Sequence, residues 1–282
     1  MAPIPPPRTT IQGLIDAHHE AHAEAPRRHM GASELGHHCD RWLWLKFRWM
    51  VIEKHEGRLL RVFRRGHGEE ATILKDLRAI GLVIRETTDG QTRVDFGSHI
   101  EGSIDCIIES GVPEAPTTPH IGEFKTHSKK SFDELEKKGV EAAKWSHFVQ
   151  MQVYMHGTGI DRALYVAVCK DDDRMYVERV RYDVDVATKY IARGKRLALA
   201  DEMPPPVTTD PTWYLCTWCP AHAVCHKGAG VIAPQTCRSC AHATAKEDST
   251  WRCEKHNADN IPLAFQRTGC SDYELHDHLL PF

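Results

Sequence analysis

The sequence predicts an α/β protein, a small mixed sheet flanked by helices with a cysteine-rich appendage at its C-terminal end. Short apolar, β-branched runs alternate with segments of helical period, which is the pattern of a sheet covered by helices. Two of these runs carry charge where a core is expected: Asp105 in Ile104–Ile108, and Glu123-Phe124-Lys125 in Ile121–Thr126. After Pro204-Pro205-Pro206 the periodicity fades and seven of the ten cysteines follow, at spacings that suit metal binding.

The elements are expected in this order. An amphipathic helix covers Ile11 to Ala25, a Trp-, Leu- and Arg-rich helix covers Cys39 to Met50, and a long helix runs from Leu59 to Ile80, where Gly81 ends it. Strands are expected over Leu82–Thr87, Gly97–Glu109 and His120–Thr126, with Pro113, Pro116 and Pro119 marking the turn before the last. Helices follow over Phe132–Lys138 and Val140–His156, then a hairpin of Arg162–Cys169 and Met175–Tyr182, then a closing helix over Val184–Ala200 that the prolines stop. The domain reading is a disordered, proline-rich start (1–10), a main domain (11–230) and a small module (231–282).

Composition narrows the classes. A hydrophobic content of 41% and a charged content of 27% describe a soluble globular chain. No apolar run approaches the roughly 18 residues of a membrane span, and Met1-Ala2-Pro3-Ile4-Pro5-Pro6-Pro7 lacks the apolar core of a signal peptide. Ten cysteines without an export signal argue for metal ligation in a reducing cytoplasm rather than a disulfide framework. A net charge of −3 gives no global basic signal, so nucleic-acid binding must rest on a local patch.

Glu123 and Lys125 stand two apart on a strand and therefore share a face. Asp105 is costly to bury among Ile104, Cys106, Ile107 and Ile108 without a partner or a metal. Two acids and a lysine at the edge of a small sheet can hold a hard divalent cation and orient a water beside it, which points to phosphodiester hydrolysis. Taken singly, each motif has a plainer reading: an E-x-K pair on a solvated face, Glu69 and Glu70 on a helix surface, Tyr154 in the core. Their joint occurrence in order favours the site.

This stretch resembles the PD-(D/E)XK nuclease superfamily, in its RecB-like exonuclease branch. Upstream, Arg65-Gly66-His67-Gly68-Glu69-Glu70 is similar to the branch's Gly-x-x-x-Glu helix motif. Downstream, Gln150-Met151-Gln152-Val153-Tyr154 is similar to its Gln-x-x-x-Tyr motif. Ile104 stands where the superfamily name has proline. The resemblance implies a restriction-endonuclease-like core and Mg²⁺ or Mn²⁺ bound by Glu70, Asp105, Glu123 and the Phe124 carbonyl, with His67 as a further ligand. It also implies that Lys125 holds the attacking water, and that Gln150 and Tyr154 touch the lysine, the water or the substrate phosphate.

Cys216-x2-Cys219-x5-Cys225, joined by the distant Cys39, resembles the iron–sulfur clasp of the AddB nuclease domain and of CRISPR-associated RecB-type nucleases, which implies a [4Fe–4S] cluster. Zinc on the same ligands is the alternative. Cys237, Cys240, Cys253 and Cys270 form a zinc-ribbon-like set, with His256 competing with Cys270 for the fourth place. Cys106 and Cys169 read as ordinary buried thiols.

Arg61, Arg64 and Arg65 lie on one face of the long helix and form a candidate phosphate track, with Lys129-Lys130 and Lys137-Lys138 as an opposite wall. Trp42, Trp44 and Trp49 read as core, with base stacking as the alternative. The expected activity is that of a metal-dependent hydrolase, an exonuclease on single-stranded or end-containing DNA, in bacterial or phage recombination, repair or replication and alongside partner proteins of those processes. The alternatives are a non-catalytic DNA-binding scaffold and an endonuclease on structured DNA.

Overall fold

The computed structural model describes residues 10–85, 92–226 and 233–277. The proline-rich start lies almost wholly outside them, as does the end of the strand expected over Leu82–Thr87. At the centre is a five-stranded sheet. Its strands are β2 (Val83–Ile84), β5 (Cys106–Ser110), β6 (His120–His127), β7 (Arg162–Cys169) and β8 (Met175–Arg181), adjacent in that order. Only the β6–β7 pair is parallel. That pairing requires a crossover, supplied by α4 (Lys129–Ala143) and α5 (Trp145–Thr158). Gly139, at φ 76°, breaks the helical path within α4, where the sequence predicts a boundary.

β7 is apolar along its length and buried on both faces, as an inner strand should be, whereas the edge strand β8 alternates between exposed and partly covered residues. One face of the sheet packs Phe124, Val166 and Ile108 against Ile73 of α3 (Gly57–Ala79). The other packs Ile121, Ala163 and Tyr165 against Phe132, Val149 and Val153 of α4 and α5.

A second sheet of three strands, β1 (Met30–Gly31), β4 (Ile100–Ile104) and β3 (Thr92–Gly97), lies upstream in the chain. The single strand expected over Gly97–Glu109 is therefore two strands in two sheets, divided at Asp105. At that point the Asp105 carboxylate accepts the Phe124 N–H of β6 at 2.8 Å. β3 does not stand out in the sequence because its face is mostly polar.

α1 (Ile11–Ala21) lies along α3 and is held by an Arg61–Asp16 ion pair and by Glu20, which accepts the Gly57 N–H at 2.8 Å. α2 (Asp40–Phe47) is capped by Cys39 and buries Trp42 and Trp44, and Trp49 is buried just beyond it. The tryptophans are thus core, and stacking on bases is ruled out for them by burial. α6 (Val184–Leu199) covers α5. The short α7 (Tyr214–Thr217) and α8 (His222–His226) carry the first cysteine group.

The C-terminal segment forms a small hairpin, β9 (Ala243–Ala245) and β10 (Trp251–Cys253), and the helix α9 (Leu263–Thr268). Trp251, Ala245 and Ile261 join the same core as Met30, Leu43 and Phe47, so this segment shares the main core. Among the described residues no helix is long and apolar enough to cross a membrane.

Candidate active site

β6 supplies the middle of the site. Its residues alternate: Gly122 and Phe124 face α3, while Glu123, Lys125 and His127 form a row toward α5. A Cβ on Gly122 would lie 2.4 Å from the Cys106 sulfur, so only glycine lets β5 and β6 close up beside the acids. Asp105 stands one residue beyond the Cys106–Gly122 pair, which brings it next to Glu123 across the antiparallel ladder. α3 delivers Glu70 on the helical stripe that also carries Ile73, Leu74 and Leu77 against the sheet. Glu70 lies near enough to Asp105, Lys125 and His67 for their charges to act on it.

Glu123 is fully buried. Its carboxylate receives Lys125 Nζ on one oxygen and Gln150 Nε2 on the other, the latter at 2.9 Å. Gln150 therefore anchors the acid, not the lysine. Tyr154, one turn further along α5, is buried behind it and hydrogen-bonded to Gln150, and its ring edge packs against Gly102, where a Cβ would come within 2.5 Å of it. Neither residue is among those that line the groove.

The electrostatics form one coupled set. Burial, with Asp105 and Glu70 adding repulsion, pushes the Glu123 carboxyl up to about 8 despite Lys125. Burial also raises Asp105, against the pull of Lys125 and of the Phe124 N–H. Burial and then Asp105 raise Glu70. Burial opposes the charge on Lys125, but Glu123, Asp105 and Glu70 outweigh it and its pKa is raised. Three carboxyl groups thus share a single nearby lysine. Their mutual repulsion and hard oxygen donors are what a divalent cation would relieve, so the donor chemistry fits Mg²⁺ or Mn²⁺. As placed, no group of three or more His, Cys, Asp or Glu side chains among the described residues is arranged to hold a metal ion.

The site opens into a groove of about 1210 Å³ between α1, the segment after α2, α3 and β6. His67, Glu70, Phe124 and Lys125 line its floor, with Arg64, Lys54 and Lys170 on its walls. Of the three arginines expected to track phosphates, Arg64 alone lines the groove. Arg61 is engaged by Asp16, and Arg65 donates to the Lys170 carbonyl at 2.9 Å.

Sequence reasoning missed a polar cluster beside the row. The Tyr165 hydroxyl is shared by His127 Nε2 and His147 Nδ1, each at 2.9 Å, and Ser131 Oγ lies 3.2 Å from His127 Nδ1. Burial, followed by nearby lysines, pushes both imidazoles down, His127 to about 4 and His147 to about 3, so both are neutral. The signal was present in the spacing: His127 continues the Glu123–Lys125 face, and His147, Gln150 and Tyr154 fall on one stripe of α5.

The cysteines gather as two groups. Cys39 acts on the thiols of Cys216, Cys219 and Cys225, though 177 residues separate it from the first of them. Burial, with these neighbours, raises Cys219 to about 11. Cys237, Cys240, Cys253 and Cys270 line a small common cavity with His256, whose Nε2 lies 3.8 Å from the Cys270 sulfur and 3.2 Å from Asp272. Cys270 and His256 thus both reach this cavity. None of the ten cysteines forms a disulfide. Cys106 and Cys169 are buried in the sheet, and burial pushes Cys106 up to about 12, which makes it inert.

The chain belongs to the PD-(D/E)XK nuclease superfamily, whose sequence model matches residues 11–226. The sequence matches no curated protein closely. Among solved structures it is similar to the protein designated SSO0001, with 14% identity and a TM-score of 0.46 over 77% of this chain and 97% of that one. It is also similar to an alkaline exonuclease from Laribacter hongkongensis, with 17% identity and a TM-score of 0.42 over 64% and 90%. A phage-related exonuclease from Haemophilus somnus 129PT shows 18% identity and a TM-score of 0.33 over 48% and 70%. Likenesses at this level carry nothing about substrate.

Proposed function

We propose that the protein is a Mg²⁺- or Mn²⁺-dependent deoxyribonuclease, an exonuclease acting on single-stranded or end-containing DNA. The observation that carries this reading is the convergence of Asp105, Glu123, Glu70 and Lys125, of which Glu70 and Lys125 line the floor of an open groove while the two acids lie buried beside them. Asp105, Glu123 and the Phe124 carbonyl would hold the cation, with Glu70 and His67 at its margin. Bound there, it would supply Lewis-acid polarisation of the scissile phosphate and a more acidic water. Lys125 donates to the attacking water and offsets charge developing on the phosphate. Gln150 fixes the Glu123 carboxylate, and Arg64 draws the strand along the groove.

In the same reading, Cys39, Cys216, Cys219 and Cys225 carry a [4Fe–4S] cluster that staples the N-terminal part of the nuclease region (11–230) to its end. The segment 231–282 folds around zinc held by Cys237, Cys240, Cys253 and Cys270. The protein works in the cytoplasm of a bacterium or a phage-infected cell, where thiols stay reduced, in recombination, repair or phage DNA metabolism with the proteins of those processes.

The test is cleavage of end-labelled linear single strands, linear duplexes and covalently closed circles by anaerobically purified protein in Mn²⁺. Degradation of linear molecules alone is the expected result. Cutting of circles would make it an endonuclease, and binding without cleavage of any form would make it a scaffold.

A further inference from the structure

The groove wall carries a large apolar side chain that the fold does not use. Phe63 is 43% exposed, lines the groove and belongs to none of the hydrophobic clusters. Its ring meets the His55 ring edge-on, at 5.2 Å between centroids and an angle of 89°. His55 comes from the segment before α3 and lines the same groove, so it braces one edge of the phenyl ring.

Phe63, His67 and Glu70 are spaced i, i+4, i+7 and form one stripe of α3. At the rise of an α-helix, Phe63 stands about 10 Å from Glu70 along the axis. Between them lies Gly66, also on the groove wall, where an added Cβ would meet nothing within 4 Å. No packing demands glycine there, and a mid-helix glycine costs about 0.5–1 kcal/mol. The space it leaves adjoins both the acids and the ring. Arg64, Lys54 and Lys170 stand on the surrounding walls, interspersed with Glu20, Glu24, Glu53 and Glu56.

An exposed ring edged by an imidazole, beside cations and leading to a nuclease floor, matches the chemistry of an unpaired base. We propose that Phe63 is a stacking platform for one base of a single strand, next to the nucleotides that flank the scissile phosphate, and that it selects single-stranded over paired nucleic acid. A paired base has its faces covered by its neighbours in the duplex and cannot offer one to the ring. This proposal rests on the nuclease reading above.

The experiment uses full-length, metal-loaded protein and short oligothymidylates in which 2-aminopurine replaces one base at successive positions. Wild-type protein should quench the probe strongly at one position. Phe63→Ala should lose that quench and raise KM for the single strand about 5- to 100-fold, the range expected for one stacked base. Its kcat should change little, and Phe63→Tyr should restore both readouts. An abasic site at the quenched position should weaken wild type but not Phe63→Ala. If wild type cleaves and Phe63→Ala matches it in quench and KM, or loses equally on single strands and duplexes, this proposal is overturned and the nuclease reading stands. If wild type neither binds nor cleaves any strand, both fall.

Discussion

Among the described residues, charge is buried in two places, and they are built differently. Around Arg48 and Arg238 the charge is sealed. Arg238 is 2% exposed, its guanidinium 4.1 Å from the Trp49 ring and 4.9 Å from that of Trp251. It donates to the carbonyls of Arg28 at 2.7 Å and Phe47 at 3.2 Å and to Gln266 at 2.9 Å. Burial, then neighbouring arginines, pushes it down to about 9. Arg48 donates to the carbonyls of Ala200 and Ala243 and pairs with Asp201 at 3.4 Å, while its buried Nε has no hydrogen-bond partner among the described residues. Around Glu123 and Lys125 the carboxyl groups outnumber the cation, and the lysine retains 25% side-chain exposure on the groove. Sealed charge that is satisfied by carbonyl dipoles and rings joins two parts of a chain. Charge left short of partners and open to a groove is available for chemistry. Burial alone does not separate the two; access and unmet demand do.

Metal removal should give the largest effect. Ligation of this kind contributes on the order of 10 kcal/mol to the folding of small metal-bound units. Cys39→Ser is expected to abolish the visible absorbance and iron content of anaerobically purified protein, and Cys240→Ser its zinc, each with a large drop in melting temperature. Colourless wild-type protein holding zinc at both sites would remove the iron–sulfur reading.

Next is the sealed charge. Arg238→Met removes the two hydrogen bonds that tie residues 233–277 to the carbonyls of Arg28 and Phe47 and a third to Gln266, and should destabilise the protein by about 1–3 kcal/mol for each carbonyl left unpaired, read in urea unfolding. Cleavage per folded molecule should be unchanged. A loss of activity in fully folded Arg238→Met would erase the distinction between the two regions.

Gln150→Ala should do the reverse. Losing a hydrogen bond to a charged group is worth about 1.5–3 kcal/mol, so the cleavage rate should fall roughly 10- to 100-fold while Tyr154 keeps α5 packed.

The smallest effect concerns pH. The Glu123 carboxyl rises from 4.5 to about 8 on folding without metal. A raised carboxyl pKa contributes stability that is complete below 4.5 and lost as pH climbs through 8. Metal-free wild type should therefore weaken across that window, by on the order of 1 kcal/mol or more. Glu123→Gln should flatten the slope and be the more stable form at pH 8, as read by thermal melts at pH 5 and pH 8 in chelator.

Much of this was legible in the sequence. The E-x-K spacing placed Glu123 and Lys125 on one face, and the helix stripe carried Glu70 toward them. The Cys216-x2-Cys219-x5-Cys225 spacing left a fourth thiol wanted, and the resemblance to an iron–sulfur clasp pointed to the distant Cys39. What the sequence hid were tertiary choices. The break at Asp105 falls where Phe124, on another strand, offers an N–H. Gln150 turned to the acid rather than the lysine because α5 lies under β6. Arg61 was claimed by Asp16 of α1, which no local pattern announces. The His127–Tyr165–His147 cluster needs β7 beside β6 before its spacing acquires meaning.

The most direct test of the central claim is single-turnover cleavage of an end-labelled linear strand in Mn²⁺ by wild type and by Lys125→Ala, with both shown to be folded and metal-loaded. The account predicts cleavage by wild type and a fall of about 10²- to 10³-fold in the variant, the scale of losing one pre-placed donor to developing charge. Equal rates in the two proteins would contradict it, because the row on β6 would then not be where the bond is broken.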